Sequence, residues 1–438
     1  MKQSSLWCRS FVVASLALSL AVPFARGDEI PANPSFTLEA LVAEALAKNP
    51  ELAFYEAEIV AAKAGRSSAG RLGNPELTAG LGQKTGHNSG LNGEGVAWSV
   101  SVLQPFEWPG RLGLRKAIAN RDIELAQLGH ERFKAALAGR VRTLAYRLFA
   151  AQAKGSAATE VAGRFKELRE VLVQRDPAGL TPLLETRVIE ATELNSQRKA
   201  SEAMLATQSA LLELNSLRGA APDARLSIAN PNLVFRAAEN LSVLTALART
   251  NNFELRVRAM ELTQQGFRVS LARNERYPAL SIGPTISTER AGDERQHIIG
   301  LGVSVPLPLW NRNKGNIETA LARQTQAEVS FNVAEREIQR KVFQAALTYE
   351  TKLAEMAKWR PDSAQHFREA AEIADRHYRL GSVPISTYVE LQKAYLEAVD
   401  GLLDTKREAL EAGQELQLLT GLGHEMVQIA APNKEESK

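Results

Sequence analysis

Apolar and polar positions alternate in four short stretches of this chain and settle into a spacing of three and four over most of the rest. In residues 77–82, Leu77, Ala79 and Leu81 alternate with Thr78, Gly80 and Gly82. A segment rich in Gly, Asn and Ser follows at 84–95, and then Val96, Trp98, Val100 and Val102 alternate with Ala97, Ser99 and Ser101. Further on, Leu280, Ile282 and Ile286 alternate with Ser281, Gly283, Thr285 and Ser287, and Ile299, Leu301, Val303 and Val305 with Gly300, Gly302 and Ser304. A period of two predicts strands with one bulky apolar face and one small polar face. Each stretch runs to about ten residues, enough for a tilted strand to cross an outer membrane. Trp108 and Trp310 fall just past the strand ends, where an interfacial aromatic belt would lie. A soluble sheet with its apolar face on a core shows the same alternation. The strand length favours the other reading, in which Leu77, Trp98, Val100, Leu280, Ile282, Leu301 and Val303 face lipid.

The longer segments read as helices. Residues 38–71 follow Thr37, a suitable N-cap, carry Leu38, Leu41, Ala45 and Leu52 on one face, and end at Gly73-Asn74-Pro75. Residues 111–175 contain no proline and carry the stripes Leu137, Val141, Leu144, Leu148, Ala151 and Val161, Phe165, Leu168, Leu172. At 1.5 Å per residue this helix is about 100 Å long. A third helix is expected over 183–218, and the second half predicts helices at about 241–275, 313–379 and 385–420. The last holds a 3-4 repeat (Tyr388, Leu391, Tyr395, Ala398, Leu402, Thr405, Ala409, Ala412, Leu416, Leu419), coiled-coil spacing with many small residues that let helices approach closely.

The two halves echo each other. Val100, Val102 and Pro105 correspond to Val303, Val305 and Pro308, and Asn49, Glu51 and Leu52 to Asn252, Glu254 and Leu255. Trp108, Phe165, Gly179, Leu217 and Gly219 correspond, one residue closer, to Trp310, Phe367, Gly381, Leu419 and Gly421. Such a steady offset marks a tandem duplication, with each half a helix, a strand pair, a very long helix and a final helix. The expected organisation is a leader at 1–27, a first repeat at 28–219 with strands at about 75–105, a linker at 220–240, a second repeat at 241–424 with strands at about 278–308, and a polar tail at 425–438, expected to be partly disordered.

Composition narrows the compartment. Lys2 and Arg9 precede an apolar run of about twelve residues, with Ala25-Arg26-Gly27 before Asp28, which reads as an export signal and is too short for a spanning anchor. The one cysteine, Cys8, lies within this leader, so the mature chain carries no disulfide. Removing Lys2, Arg9 and Arg26 from 53 basic residues leaves 50 against 50 acidic ones, which argues against a nucleic-acid partner. Four lipid-facing strands cannot close a barrel, and an open edge in hydrocarbon leaves backbone groups without partners. The chain is therefore expected to oligomerise, two copies giving eight strands and three giving twelve, with the helices forming a coaxial cylinder.

The duplicated unit, over about residues 36–424, resembles the TolC family of outer membrane efflux proteins. FEWPGRLGLRKAIA at 106–119, with NPEL at 49–52 and again at 74–77, is similar in particular to the CzcC/CusC-type branch that serves heavy-metal resistance-nodulation-division systems. The resemblance implies a mainly α fold with a small β part. It also implies a homotrimer with a twelve-stranded outer membrane β-barrel, a long periplasmic α-helical barrel, and docking onto a periplasmic adaptor and an inner-membrane pump.

The resemblance further places a gate at the periplasmic tip, at the turns 174–185 and 378–390. Glu390 there resembles the inward acidic residue that narrows the aperture, and Tyr378 and Glu185 the pair that ties neighbouring hairpins closed. Gly179, Leu180, Gly381 and Ser382 form the tip turns expected to meet the adaptor. The family's basic tie is absent, its place taken by Val383. On the residues alone, Glu185 and Glu390 also read as solvated charges at helix starts, where the helix dipole favours them.

Candidate chemistry is sparse. No pair of the histidines His87, His130, His297, His366, His377 and His424 has metal-ligand spacing; His87 and His297 are expected in the two inter-strand loops, as ordinary exposed residues or meeting across a barrel mouth. No phosphate loop or nucleophile elbow is present, so neither cofactor nor enzymatic role is expected. The expected role is a passive exit duct for cobalt, zinc, cadmium or copper/silver ions. The alternatives are a duct for antibiotics or other organic compounds and a structural coiled-coil stalk.

Overall fold

The computed structural model describes residues 35–88, 91–175, 183–291, 294–360, 363–421 and 426–430. In chain order the elements are β1 (Ser35–Phe36), α1 (Leu38–Lys48), α2 (Glu51–Ala69), β2 (Glu76–Asn88), β3 (Leu91–Phe106), α3 (Arg111–Arg175) and α4 (Leu183–Leu217). They continue with β4 (Ser227–Ile228), β5 (Asn232–Phe235), α5 (Leu241–Asn251), α6 (Phe253–Asn274), β6 (Leu280–Ala291), β7 (Glu294–Ser304), α7 (Lys314–Met356), α8 (Ser363–Arg379), α9 (Ile385–Thr420) and β8 (Val427–Ala430).

Three helices expected to be continuous are broken. The helix expected over 38–71 divides into α1 and α2 at Asn49-Pro50, and 241–275 divides into α5 and α6 at Asn252. The cause is the asparagine. Asn49 Oδ1 accepts the Glu51 N–H at 2.9 Å, and Asn252 Oδ1 accepts those of Glu254 and Leu255 at 2.9 and 3.2 Å. Each side chain thus caps a new helix start in place of the backbone ladder. Both then turn outward to the far end of their own repeat. Asn49 Nδ2 donates to the Leu217 carbonyl at 2.8 Å, and Asn252 Nδ2 to that of Leu419 at 2.9 Å. Just beyond, Gly219 (φ +65°) and Gly421 (φ +96°) pass so close to α1 and α5 that a Cβ would lie 2.9 Å from Lys48 O and 2.5 Å from Asn251 Cβ. The third break falls in 313–379, where α7 stops at Met356 and α8 starts at Ser363. Pro361 lies in the gap, and its missing N–H and ring preclude an unbroken helix.

Unbroken over 65 residues, α3 is the spine of the fold. Its stripe Leu137, Val141, Leu144 and Leu148 is buried with Leu41, Ala45, Leu214, Val342, Leu410 and Leu416 in one core. Further along, Val161, Phe165 and Leu168 are buried with Ile189, Ala371, Ala374, Tyr388 and Leu396 in a second core. The 3-4 repeat of α9 serves both cores, and Leu396, Leu403 and Leu410 bury a second face of this helix.

Beside the first core, segments that composition marked as linker and tail form small strands. β4 pairs parallel with β1, and β5 pairs antiparallel with β8. Tyr349 Oη bridges the carbonyls of Arg236 and Met426 at 2.8 and 3.0 Å, and Met426 and Val427 are buried. Residues 426–430 are thus an integral strand rather than loose tail, because β5 offers a free edge and Tyr349 a hydroxyl.

The remaining strands form one antiparallel sheet in the order β2-β3-β6-β7. The repeats meet at the β3–β6 seam, where Val100 faces Ile286 and Ser99 faces Ser287. Val102 and Gly283 come together so tightly that a Cβ on Gly283 would lie 1.8 Å from the Val102 carbonyl oxygen. The outer strands β2 and β7 have no partner on their far sides among the described residues.

Candidate functional site

The register settles which side chains share a face of the sheet. Leu77 lies opposite Val102, Leu81 opposite Trp98, Val100 opposite both Ala79 and Ile286, and Ile282 opposite Val303. Leu77, Trp98, Val100, Leu280, Ile282, Leu301 and Val303 therefore share one face. All but the half-buried Ile282 are exposed, Leu77 and Leu301 to 71% and 72%. The other face carries Thr78, Gly80, Ser99, Ser101, Thr285, Ser287, Gly300 and Gly302. Across it Lys84 Nζ reaches Glu289 at 2.6 Å, spanning β3 at its small residues Gly95 and Ala97. An exposed apolar sheet of this size is costly in water and favourable in lipid.

At the inner end of the sheet, Trp108 stacks on Tyr277 with ring centroids 4.8 Å apart, whereas Trp310 is 93% exposed. Arg111 locks the strand-to-helix turn, donating to Asn274 Oδ1 at 3.0 Å and to the Tyr277 carbonyl at 2.6 Å. Asn274 in turn donates to the Pro109 carbonyl at 3.0 Å.

The tip is at the other end of α3. The α8–α9 turn closes as a Schellman motif: Gly381 N–H donates to Tyr378 O and Ser382 N–H to His377 O, both at 2.9 Å, with Gly381 at φ +72°. A residue with a Cβ is strained there, which accounts for glycine. Gly179 and Leu180 lie outside the described residues. Tyr378 stacks on Tyr388 at 5.2 Å, and Tyr388 meets Phe165 of α3 edge-on at 5.2 Å. Burial, and then the Glu185 carboxylate, push the Tyr378 phenol above its ordinary pKa, so these two residues are electrostatic neighbours in one chain. Glu390 is exposed and makes no ion pair among the described residues.

Sequence reasoning missed one polar link between α8 and α3 here. Arg379, the last residue of α8, donates to Asp375 at 2.9 Å and to Glu167 of α3 at 3.1 Å. Val383 offers no basic side chain at the turn, and the Arg379 guanidinium lies four residues upstream of it. The i,i+4 spacing of Asp375 and Arg379 was the readable signal. Beneath it, burial and then the Asp375 carboxylate hold the Tyr388 phenol well above its usual range, and neither Tyr388 Oη nor Asp375 Oδ1 reaches hydrogen-bonding geometry. Arg164 continues the network to Glu160 (2.6 Å), Glu372 (3.4 Å) and Gln392 (3.2 Å).

His297, expected in a loop, sits within β7 with Nδ1 3.0 Å from Thr288 Oγ1. His87 lies in β2, paired with Asn92, because both hairpins extend beyond their apolar stretches. Among the described residues no group of acidic, His and Cys side chains could hold a metal, and no helix is long and apolar enough to cross a membrane.

Known proteins share this architecture. The chain is 26% identical to the cobalt-zinc-cadmium resistance protein CzcC of Cupriavidus metallidurans over 306 residues, 67% of this chain and 68% of that one. It is 25% identical to the nickel-cobalt-cadmium resistance protein NccC of Alcaligenes xylosoxydans xylosoxydans over 304 residues, 68% of this chain and 66% of that one. A crystal structure of CusC superposes with a TM-score of 0.69 at 15% identity, covering 89% of this chain and 93% of that one. The sequence profile described as "Outer membrane efflux protein" matches twice, over residues 41–220 and 244–422, once for each repeat. The chain belongs to the outer membrane efflux protein family.

Proposed function

We propose that three copies of this chain form the outer membrane exit duct of a tripartite pump that expels heavy-metal cations. One observation carries the pore reading: a four-stranded sheet with an exposed apolar face and two open edges, β2 and β7. In hydrocarbon those edges must pair, and β7 of one copy against β2 of the next closes the sheet. Three copies make twelve strands, wide enough for a lumen lined by the small polar face. Trp108 and Trp310 then mark the inner interface of the outer membrane. The helices continue the duct into the periplasm of a Gram-negative cell, where the turns containing Gly179, Leu180, Gly381 and Ser382 meet an adaptor joined to a resistance-nodulation-division pump.

The cargo follows from the relatives, whose names give cobalt, zinc, cadmium and nickel. The duct itself needs no ion site, because selection upstream suffices. Glu185, Glu390 and Tyr378 form the gate in this reading, and a ring of Glu390 carboxylates favours cations electrostatically. The test is deletion of the gene and complementation by the mature chain with its leader. Sensitivity to Co²⁺, Zn²⁺ or Cd²⁺ that complementation reverses supports the proposal. Sensitivity to organic drugs with unchanged metal tolerance replaces the cargo, and a monomer in detergent that opens no channel in a planar bilayer overturns the duct.

A further inference from the structure

The helices lie side by side in the order the strands set. Nearer the sheet α2 packs on α3, α3 on α6 and α6 on α7, and further along α4 packs on α3, α3 on α9 and α9 on α7. α2 and α4 thus form one edge of the chain and α7 the other. Both edges carry exposed apolar rows where a solvated helix would be polar. α7 buries Ile338, Val342 and Tyr349, and its opposite side holds Val329, Val333, Arg336, Arg340, Phe343 and Leu347, all exposed and spaced 4-3-4-3-4. That is a coiled-coil seam about 27 Å long which the chain itself leaves uncovered. On α2, Phe54, Ala57, Ala61 and Ala64 are exposed at 3-4-3 spacing. On α4, Leu194, Leu205 and Leu212 are exposed, eleven and seven residues apart.

We infer that the exposed seam of α7 packs against a second copy of this chain, meeting the neighbour's α2 over its first half and α4 over its second. The inference rests on the duct reading above and adds which side chains touch. Copies closed by pairing β7 with β2 are related by rotation about the duct axis, which α3 follows, and rotation keeps every residue at its own height. Contacts within one chain set those heights. Arg111 and Asn313, at the starts of α3 and α7, both hydrogen-bond the last turn of α6, so the two long helices begin level. Tyr55 stacks on Phe133 at 4.7 Å, Arg66 donates to Asn120 at 2.6 Å, and Arg140 reaches Glu213 at 2.6 Å. The repeat offset that carries Trp108 to Trp310 carries Asn120, Phe133 and Arg140 to Ala322, Glu335 and Val342 of α7. Ala61 therefore stands level with Val329, Phe54 with Arg336, and Leu212 with Phe343. The small side chains of α2 admit the branched ones of α7, since helices approach closely where one of them carries alanine. Charge agrees with this register. Arg336 makes no ion pair among the described residues, and neither do Glu51, Glu56 and Glu58, the carboxylates that flank Phe54 on α2.

Beyond Cys8 the chain holds no cysteine, so paired substitutions report single contacts. The test uses the full-length protein purified in detergent, with Ala61→Cys/Val329→Cys and Leu212→Cys/Phe343→Cys oxidised by copper phenanthroline. Each pair spans opposite edges of one copy, so its disulfide joins two copies, and it needs Cα atoms within about 7 Å. Covalent dimer and trimer that a reductant reverses are expected from both pairs. Ala61→Cys/Leu347→Cys, offset by about 27 Å, is expected to run as monomer on the same gel. Matched pairs that cross-link no better than this offset pair overturn the inference. Full labelling of a lone Val329→Cys by a water-soluble maleimide in the oligomer overturns it too, since the α7 face would then be open to a different partner. Native mass spectrometry and planar-bilayer conductance of the same preparations separate the two readings. A conducting trimer without these cross-links fails this inference alone, and a monomer that opens no channel fails the duct and the inference with it.

Discussion

The side-chain amide of Asn252 donates to the carbonyl of Leu419 at 2.9 Å while its oxygen caps α6, and Asn49 holds Leu217 in the same way at 2.8 Å. Each repeat is thereby closed on itself by one buried asparagine. Asn252→Ala removes a cap and leaves the Leu419 carbonyl without a partner. The expected loss is about 2–4 kcal/mol of stability, combining a capping loss with a buried unpaired acceptor. Asn252→Asp keeps the cap but loses the donor, and should fall between the two. Denaturant unfolding of the three proteins checks the order.

Gly283 and Gly300 make a contrasting pair in the sheet. A Cβ on Gly283 would lie 1.8 Å from Val102 O, whereas one on Gly300 meets nothing nearer than Thr285 Oγ1 at 3.5 Å. Gly283→Ala is expected to open the β3–β6 seam and abolish heat-resistant oligomer on gels, while Gly300→Ala leaves it intact. Equal oligomer yield from both variants would contradict the tight seam.

At the tip, the Arg379–Glu167 bond ties α8 to α3. The pair is substantially exposed, with side-chain exposures of 39% and 67%, so about 0.5 kcal/mol is the realistic scale. Arg379→Ala should therefore raise the mean conductance by only about twofold, if the closed state depends on this bond. Glu185→Ala/Glu390→Ala is expected to raise it too and to weaken cation preference. Unchanged conductance in the double glutamate variant would remove those two residues from the gate.

Alkaline stability tests the strand formed by the tail. Burial raises the Tyr349 phenol to about 12, and its neutral hydroxyl serves the Arg236 and Met426 carbonyls. A phenol raised in the folded state contributes stability that is fully present below its unfolded value, about 10. That contribution is lost as pH rises from about 10 through about 12. Tyr349→Phe should lower Tm at neutral pH and shrink the decline over that window. A variant whose Tm falls as steeply there as wild type would exclude this role.

Much of the fold was legible as periodicity. The alternation around Val100 and Val303, the stripe Val141, Leu144, Leu148 on α3, and the offset joining Asn49 to Asn252 are local or self-referential patterns, and the sheet face, the spine and the duplication appear where they point. What periodicity cannot encode is which unlike segments meet. The order β2-β3-β6-β7, the capture of Val427 by β5, and the reach of Arg379 to Glu167 bring together residues up to about two hundred positions apart. The pattern of the chain told which faces are apolar and which are polar, since that depends on each residue's own chemistry and its nearest neighbours. Partner choice depended on packing and on backbone groups that need hydrogen-bond partners, such as the Met426 carbonyl, which finds them only once distant segments lie side by side.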